Sequence, residues 1–484
     1  MLLSYLLEDI PSINVIGDKN ININKLEYNS KNIGSEDVFF AIKEENGNGN
    51  DYIDEVIKKG ALVIVTEDEN INCSVTKVIC KDIRKVMALM ASKFYGNPAI
   101  KLKMIGVTGT KGKTTTTHMI RDILECAGKK VGLIGTISTT YAGKTRASEK
   151  TTPESLDLQK TLADMVEENI EYVVMEVSSH SLVYERVYGI KFIISVFTNL
   201  SPEHMDFHKD MEDYLNAKAK LFRISSFGFI NADDIYSDKL IKLCECKVAK
   251  YGLNNETNIT ATNVTESIKG VTFNLYANKM LHTVNVNIPG RFSVYNALAA
   301  ISVVSMLNIG IEPIQKALST ITVEGRSEIV NIEKEYSVIV DYAHNASSVE
   351  AILKATKKYA TSRIITVFGC GGNRDKTKRP VMGEIVGKYS DFTIITSDNP
   401  RFENPIRIIK DIEVGVRKST KLYKIEEDRK KAIAFAMKIA FRNDIILILG
   451  KGHEHYQLIK GKKFPFSDKE VVIEIAKKEE EQNV

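Results

Sequence analysis

Two textures of apolar and polar positions divide the chain. Over residues 1–99 the apolar runs are short, Val38-Phe39-Phe40-Ala41-Ile42 and Ala61-Leu62-Val63-Ile64-Val65, with an Asn/Gly/Glu-rich loop from Glu44 to Asp51 between them. Such runs, bounded by turn residues, predict strands. Asn97-Pro98 predicts a boundary, since a residue before proline is pushed out of the helical region. Beyond it the runs Met104-Ile105-Gly106-Val107, Tyr172-Val173-Val174-Met175 and Phe192-Ile193-Ile194-Ser195-Val196-Phe197 alternate with helix-period segments, such as Met119, Ile120, Ile123, Leu124 and Ala127. Unbroken apolar strands separated by helices predict a parallel sheet covered on both faces.

The polar stretch from Tyr251 to Ser267 predicts loops or a small β excursion. The strand–helix rhythm then restarts near Gly325, with Val338-Ile339-Val340, Ile364 to Phe368, Phe392 to Ile395 and Ile445 to Leu449. A second doubly wound unit follows from that rhythm. Lys477 to Glu481 predicts the frayed end of a helix. The fold class is therefore α/β, with three domains: a small α/β domain at 1–99, a central P-loop parallel-sheet domain at 100–324 and a Rossmann-like domain at 325–484. That division suits a chain of 484 residues at roughly 100–200 residues per domain.

Composition narrows the class. With 43% hydrophobic and 26% charged residues the chain has the balance of a globular protein, which excludes disorder, a collagen repeat and a disulfide scaffold. Lys and Arg number 66 against 62 Asp and Glu, a net charge of +4, and this gives no support to a nucleic-acid or membrane-surface partner. Cys73, Cys80, Cys126, Cys244, Cys246 and Cys370 are scattered without C-x-x-C pairs, as expected of reduced thiols rather than of disulfides or zinc ligands. The apolar start, Met1 to Leu7, has no basic flank and runs into Glu8 and Asp9, unlike an export signal. The expected setting is the cytoplasm.

The sharpest chemical signal is Gly106-Val107-Thr108-Gly109-Thr110-Lys111-Gly112-Lys113-Thr114-Thr115-Thr116, between a predicted strand and a predicted helix. Glycines there let backbone N–H groups close around phosphate, a lysine reaches the outer phosphate oxygens and a hydroxyl can ligate Mg²⁺. Val107 stands where the common phosphate-loop pattern has its first glycine, so the loop reads G-T-x-G-K-T-T. Glu176 ends the apolar run from Tyr172, where a carboxylate is placed either to hold Mg²⁺ or to sit solvated at a strand end. The next run ends near Asn199, with His204 soon after.

These segments resemble the Mur ligases of peptidoglycan synthesis. The resemblance rests on Gly109 to Thr115, on Glu176-Val177-Ser178-Ser179-His180-Ser181-Leu182 and on Asn199-Leu200-Ser201-Pro202-Glu203-His204-Met205-Asp206-Phe207-His208. It continues through Asp341-Tyr342-Ala343-His344, Gly369 to Lys376, Asp398-Asn399-Pro400-Arg401 and Gly450-Lys451-Gly452-His453-Glu454. The later motifs are similar to the branch that adds the third stem residue to UDP-N-acetylmuramoyl-L-alanyl-D-glutamate. The matches run from about Gly106 to Gln457 and are weaker before them.

What the resemblance implies is an ATP-dependent ligase whose three domains bind the UDP-sugar, ATP with Mg²⁺, and the incoming amino acid. Its ATP contacts would be Gly109, Thr110, Lys111, Gly112, Lys113, Thr114, Thr115, Asn296, Arg326 and Asp341. Lys113, Glu176, His204 and Lys218 would form the catalytic group. Two Mg²⁺ ions would be held by Thr114, Glu176, His204 and a CO₂-carbamylated Lys218 (N6-carboxylysine), while Lys220 should point elsewhere on its helix. Ser30, Thr151, Thr152, Ser178 and Arg186 would contact the UDP-muramoyl-dipeptide. The family's D-S-R triplet reads Asn29-Ser30-Lys31 here, and Glu36 stands where glycine is usual. Ser293 replaces a common Asn, and Asn345-Ala346 replaces a frequent Thr-Pro.

Arg374, Asp398, Asn399, Pro400, Arg401, Gly450 and Glu454 would bind the amino acid. Within the family D-N-P-R marks meso-diaminopimelate users, whose substrate carries a second carboxylate that a guanidinium can grip in a fork. The resemblance thus implies small-molecule substrates, no nucleic acid, no membrane and a monomer. Alternatives to be separated by experiment are lysine or another diamino acid as substrate, a related ligase such as folylpolyglutamate synthase, and a nucleotide-hydrolysing regulator.

Overall fold

The computed structural model describes residues 1–44, 47–254, 257–277 and 280–482, so parts of the predicted 44–51 loop and 251–267 stretch lie outside the described residues. The chain forms two compact units, residues 1–259 with 299–309, and residues 260–298 with 310–484.

In the first unit a five-stranded sheet runs in the order Ile13–Ile16, Thr76–Cys80, Val63–Thr66, Asp37–Phe40, Lys25–Glu27, parallel except for the first strand. Its apolar faces meet Leu3, Leu6, Ile83, Met87 and Met90, and Leu156 of the following segment packs into the same core. The strands Val131–Ile134, Tyr172–Glu176, Lys103–Thr108, Phe192–Phe197, Ser225–Asn231 and Lys247–Gly252 lie side by side and parallel. Tyr172–Glu176, Lys103–Thr108 and Phe192–Phe197 contain the predicted unbroken apolar runs, and Val173, Val174, Ile105 and Val196 have no exposed surface. An antiparallel hairpin, Ser138–Tyr141 with Lys144–Ala147, extends that sheet.

Register decides where chemistry can occur. Glu176 pairs with Val107, and Phe197 with Thr108, so three parallel strands end together at one edge. The predicted phosphate loop, Glu176 and the segment after Phe197 are thereby gathered at the carboxyl edge, where open α/β sheets bind ligands.

The second unit holds an antiparallel meander, Ile259–Ser267, Gly270–Ala277 and Met280–Val286, which resolves the polar stretch into a β excursion. Its six-stranded sheet has the order Glu328–Val330, Ser337–Asp341, Ile445–Leu449, Ile364–Phe368, Phe392–Ile395, Tyr423–Ile425, all parallel except the first. Asp341 and Phe368 both register with Leu449, and Phe368 with Ile395. The loops at 341–344, 369–376, 396–401 and 450–454 therefore leave one edge together. The predicted frayed end is the last turn of helix Asp468–Gln482. No helix among the described residues is long and apolar enough to cross a membrane.

Candidate active site

The loop after strand Lys103–Thr108 is shaped by two glycines with positive φ, Gly109 at 149° and Gly112 at 83°. A Cβ on Gly109 would lie 1.9 Å from Thr198 Oγ1, so only glycine fits against the neighbouring strand end. Gly112 caps helix Lys113–Cys126, whose first N–H groups face the loop. Asn199 clasps the turn: its Oδ1 accepts from Lys111 N at 3.0 Å, and its Nδ2 donates to Lys111 O at 3.0 Å. Thr198 Oγ1 adds a bond to Lys111 O at 2.6 Å. Lys113 Nζ donates to the loop carbonyls of Gly109 and Thr110, each at 2.9 Å, so its ammonium lies inside the cradle.

Glu176 is fully buried, and its carboxylate is held by a polar network. Thr114 Oγ1 donates to its Oε2 at 3.1 Å, Thr136 Oγ1 to the same oxygen at 3.0 Å, and Thr136 N to Oε1 at 2.8 Å. Gly135 leaves the space, since a Cβ there would stand 2.5 Å from Oε1. Thr114 and Glu176, two of the residues expected at a metal, are thus in direct contact. A hydroxyl and a carboxylate are hard oxygen donors that suit Mg²⁺. Among the described residues no group of three or more His, Cys, Asp or Glu could hold a metal; a cation here would rely on hydroxyl, one carboxylate and substrate oxygens.

Lys218 lies on helix Met211–Arg223, capped by Asp210, and is 1% exposed. Its Nζ donates to Gly109 O at 2.9 Å and sits 4.4 Å from the centre of the Tyr214 ring. Burial, reinforced by the nearby Lys113 charge, holds its pKa well below the usual lysine range. Lys220 instead faces Leu182 O and Glu185, at 3.1 and 3.0 Å, as helix geometry requires. His204, at a φ of 58°, has its ring 6.4 Å edge-on from Tyr214 and 4.9 Å from His180. Burial lowers its pKa, as do Lys113 and Lys218, against the opposing pull of Glu203. All four catalytic candidates therefore border the same loop or share Tyr214 as a neighbour.

Thr151, Thr152, Ser178 and Arg186 are gathered beside Glu176. Thr136 Oγ1 is 3.1 Å from Thr151 Oγ1; Thr152 Oγ1 donates to Glu176 O at 2.8 Å and accepts from Ser178 N at 3.2 Å. Arg186 donates to Thr152 O at 3.2 Å and pairs with Glu154 at 2.8 Å. Glu154 also meets Lys150 at 2.7 Å and Arg84 of the preceding sheet's helix at 3.4 Å. Burial alone would raise the Glu154 pKa, but Arg186 and the other cations bring it below the ordinary value. Ser30 lies apart, on the five-stranded sheet's turn. Asn29 keeps the turn an Asp would make, accepting from Lys31 N at 3.1 Å, and Glu36 adopts a φ of 63° at the position where glycine is usual.

In the second unit Asn296 is buried on helix Phe292–Met306. Asp341 accepts from Ser327 N at 2.6 Å and Ala343 N at 2.8 Å, while the Arg326 guanidinium stacks 4.6 Å from the Tyr342 ring centre. Burial raises the Asp341 pKa against the opposing pull of Arg326.

The D-N-P-R loop is knit to its neighbours. Arg401, at a φ of 53°, donates through its guanidinium to Gly372 O at 2.7 Å, and Asn399 Nδ2 donates to Glu454 Oε2 at 2.7 Å. Gly450, at a φ of 115°, passes so close to Asp398 that a Cβ would be 2.5 Å from its Oδ2. Pro400 is buried, and a Cβ on Gly372 would meet its carbonyl oxygen at 2.0 Å. Arg374 is exposed on the adjoining loop.

Sequence reasoning passed over Thr136, Tyr214, Glu154 and Lys451. Tyr214 stands one turn before Lys218, and Glu154 directly follows Thr152-Pro153, so their spacing was a usable signal. Thr136 had none, because its partner Glu176 is 40 residues away.

Residues 22–95 match the catalytic domain of the Mur ligase family, residues 107–304 the Mur ligase middle domain, and residues 325–452 the Mur ligase glutamate ligase domain. The chain is 45% identical to UDP-N-acetylmuramoyl-L-alanyl-D-glutamate--2,6-diaminopimelate ligase 1 of Clostridium acetobutylicum, covering 99% of both chains. It is 46% identical to the corresponding ligase of Caldanaerobacter subterraneus, over 95% of this chain and 96% of that one. A solved structure of a UDP-N-acetylmuramoyl-L-alanyl-D-glutamate--2,6-diaminopimelate ligase superposes with a TM-score of 0.72 at 27% identity, covering 99% of this chain and 100% of that one. MurF ligase of Thermotoga maritima in complex with ADP, at 18% identity and a TM-score of 0.62, covers 95% of this chain and 98% of that one and shares the fold.

Proposed function

The chain belongs to the Mur ligase family, and from that membership we propose that it is the ATP-dependent ligase joining meso-2,6-diaminopimelate to UDP-N-acetylmuramoyl-L-alanyl-D-glutamate. The D-glutamate γ-carboxylate attacks the γ-phosphorus of ATP, forming an acyl phosphate as the bond to ADP breaks. The amine of diaminopimelate then attacks the acyl carbon, an amide bond forms, and phosphate leaves with the bonding pair while the amine gives up a proton.

The physical obstacle is that a carboxylate must approach a polyphosphate of like charge, so rate depends on positioning and on fixed positive charge. The Gly109 to Gly112 turn presents N–H groups and Lys113 an ammonium toward the phosphates. Mg²⁺, when bound by Thr114 and Glu176 and by the His204 and Lys218 side, supplies further positive charge at the phosphate oxygens. Lys218 enters that role as a carbamate: burial and the Lys113 charge hold its pKa well below the usual lysine range, which favours the attack of its nitrogen on CO₂. Thr151, Thr152, Ser178 and Arg186 orient the muramoyl-dipeptide, with Ser30 toward the uridine end. Asn296, Arg326 and Asp341 take the adenosine and phosphate side of ATP.

Arg374, Arg401, Asn399 and Glu454 receive diaminopimelate. The observation that carries its choice is that Arg401 and Glu454 are opposite charges held on loops cross-linked through Asn399. That pair complements the carboxylate and ammonium of the distal stereocentre. In this reading residues 1–99 hold the UDP end, 100–324 the ATP and 325–484 the amino acid, in a cytoplasmic, monomeric enzyme.

The test is phosphate release with ATP, UDP-muramoyl-dipeptide and each of meso-diaminopimelate and lysine. Turnover should require both acceptor substrates and favour diaminopimelate. Arg401→Ala should reduce diaminopimelate kcat/KM by about 10- to 150-fold, the worth of a charge-assisted hydrogen bond of about 1.5–3 kcal/mol. ATP turnover indifferent to the dipeptide, or a preference for lysine, overturns the reading.

A further inference from the structure

Lys451 is a wholly buried cation for which the proposed chemistry has no use. Its side chain is 0% exposed, and its Nζ donates to Glu454 Oε2 at 3.0 Å, to Asn399 Oδ1 at 3.2 Å and to the carbonyl of Tyr456. A buried ammonium needs a counter-charge, and among these three acceptors only Glu454 supplies one. Asn399 is fixed from both ends of its amide: Oδ1 also accepts from Leu458 N at 2.9 Å, and Nδ2 reaches Glu454 Oε2 at 2.7 Å. Both side-chain donors thus converge on Oε2 of Glu454. Among the described residues no hydrogen bond engages Oε1, and Glu454 keeps 18% exposure, so Oε1 is the oxygen left for a ligand.

The charge count then bears on selectivity. With Lys451 at 3.0 Å the Glu454 carboxylate is already paired, so it offers an incoming ammonium little unbalanced negative charge, while Arg401 on the linked loop calls for an anion. A ligand end that carries both ammonium and carboxylate is neutral overall; it can give its ammonium to Oε1 and its carboxylate to Arg401. A ligand end with an ammonium alone brings a second cation against Lys451 and leaves Arg401 without an anion, and like-charge juxtaposition in a half-buried site is costly.

We propose that Lys451 is a specificity-determining positioning residue, which by pairing with Glu454 and gripping Asn399 makes this site accept a zwitterionic amino-acid end and reject a bare ammonium. The proposal rests on the assignment of Glu454 and Arg401 to the amino acid.

The experiment measures kcat and KM of the full-length enzyme for meso-diaminopimelate and for lysine in the wild type, Lys451→Met and Lys451→Gln. Met preserves length and removes charge; Gln keeps a donor should Met fail to fold. The expected result is a fall of about tenfold or more in the diaminopimelate-to-lysine ratio of kcat/KM, carried by KM, with the KM for ATP unchanged. A merely structural role would lower both substrates by one factor, and an unchanged ratio overturns the proposal whatever the absolute rates. Glu454→Gln separates the premises. If it leaves the diaminopimelate KM unaltered, the site assignment falls. If it raises that KM while both Lys451 variants keep the wild-type ratio, the assignment stands and the role of Lys451 falls.

Discussion

Lys218 and Tyr214 stand one turn apart on helix Met211–Arg223, and the lysine Nζ lies 4.4 Å from the centre of the tyrosine ring. Gly109 O gives the amine one hydrogen bond, and burial together with the nearby Lys113 charge holds its pKa well below the usual lysine range. Carbamate formation joins that nitrogen to the carbon of CO₂ and releases a proton, turning the group into an oxygen donor. Lys218→Ala should lower kcat by about 100-fold or more, the scale for lost electrostatic stabilisers, and bicarbonate with a short carboxylic acid should restore part of it. Full activity without any additive would exclude the role.

Gly109 has no room for a side chain, its Cβ position lying 1.9 Å from Thr198 Oγ1. Gly109→Ala must displace the loop or the strand end that clasps it. Because a displacement near 1 Å can cost about 100-fold in rate, steady-state kinetics should show kcat/KM for ATP falling by about that factor. Thermal unfolding should shift downward as well, since Gly109 is buried and the added methyl would meet Thr198.

Arg429 and Asp468 form a two-pronged ion pair, 2.7 Å at each contact, with neither side chain exposed. Arg429 also donates to Leu449 O at 3.0 Å and Ser397 O at 3.4 Å, the residues just before the Gly450 and Asp398 loops. Asp468→Ala, which strands the guanidinium, should cost about 3–5 kcal/mol in urea unfolding. The double variant Arg429→Met with Asp468→Leu should lose less than either single change. Additive losses would contradict the pairing argument.

Glu403 holds the Asn373 and Arg374 loop. It accepts from Asn373 N and from both terminal nitrogens of Arg379, at 2.9 and 3.1 Å. Its hydrogen bonds to Arg379 lower the carboxyl from 4.5 to about 2, against the opposing effect of burial. A depressed carboxyl contributes stability above its unfolded value and loses it as pH falls toward the folded value. Between pH 4.5 and about 2 the contribution of Glu403 is therefore removed. Glu403→Gln should destabilise the protein at pH 7, and the gap to wild type should close as denaturation is repeated at falling pH through that window. A gap independent of pH would mean that the carboxylate charge is immaterial.

The strands were legible because a strand buried on both faces must be apolar without interruption, and the runs at Phe192–Phe197, Ile364–Phe368, Phe392–Ile395 and Ile445–Leu449 coincide with the observed bounds. The phosphate loop was legible for a related reason: its glycines, lysine and threonines act through a contiguous backbone turn. The D-N-P-R and G-K-G-H-E segments were equally visible as contiguous motifs.

What tertiary structure alone decided is which of these groups lose water and whom they meet when they do. Parallel register brings the ends of distant strands to one edge, so Thr136 reaches Glu176 across 40 residues and Lys218 reaches Gly109 across 109. Lys451 reaches Asn399 across 52. A sequence names the ammonium at Lys218 and at Lys451 alike. Their different characters come from surroundings set by packing: Lys218 is buried near the Lys113 charge, which holds its pKa low, whereas Lys451 has a carboxylate within bonding distance to balance its charge.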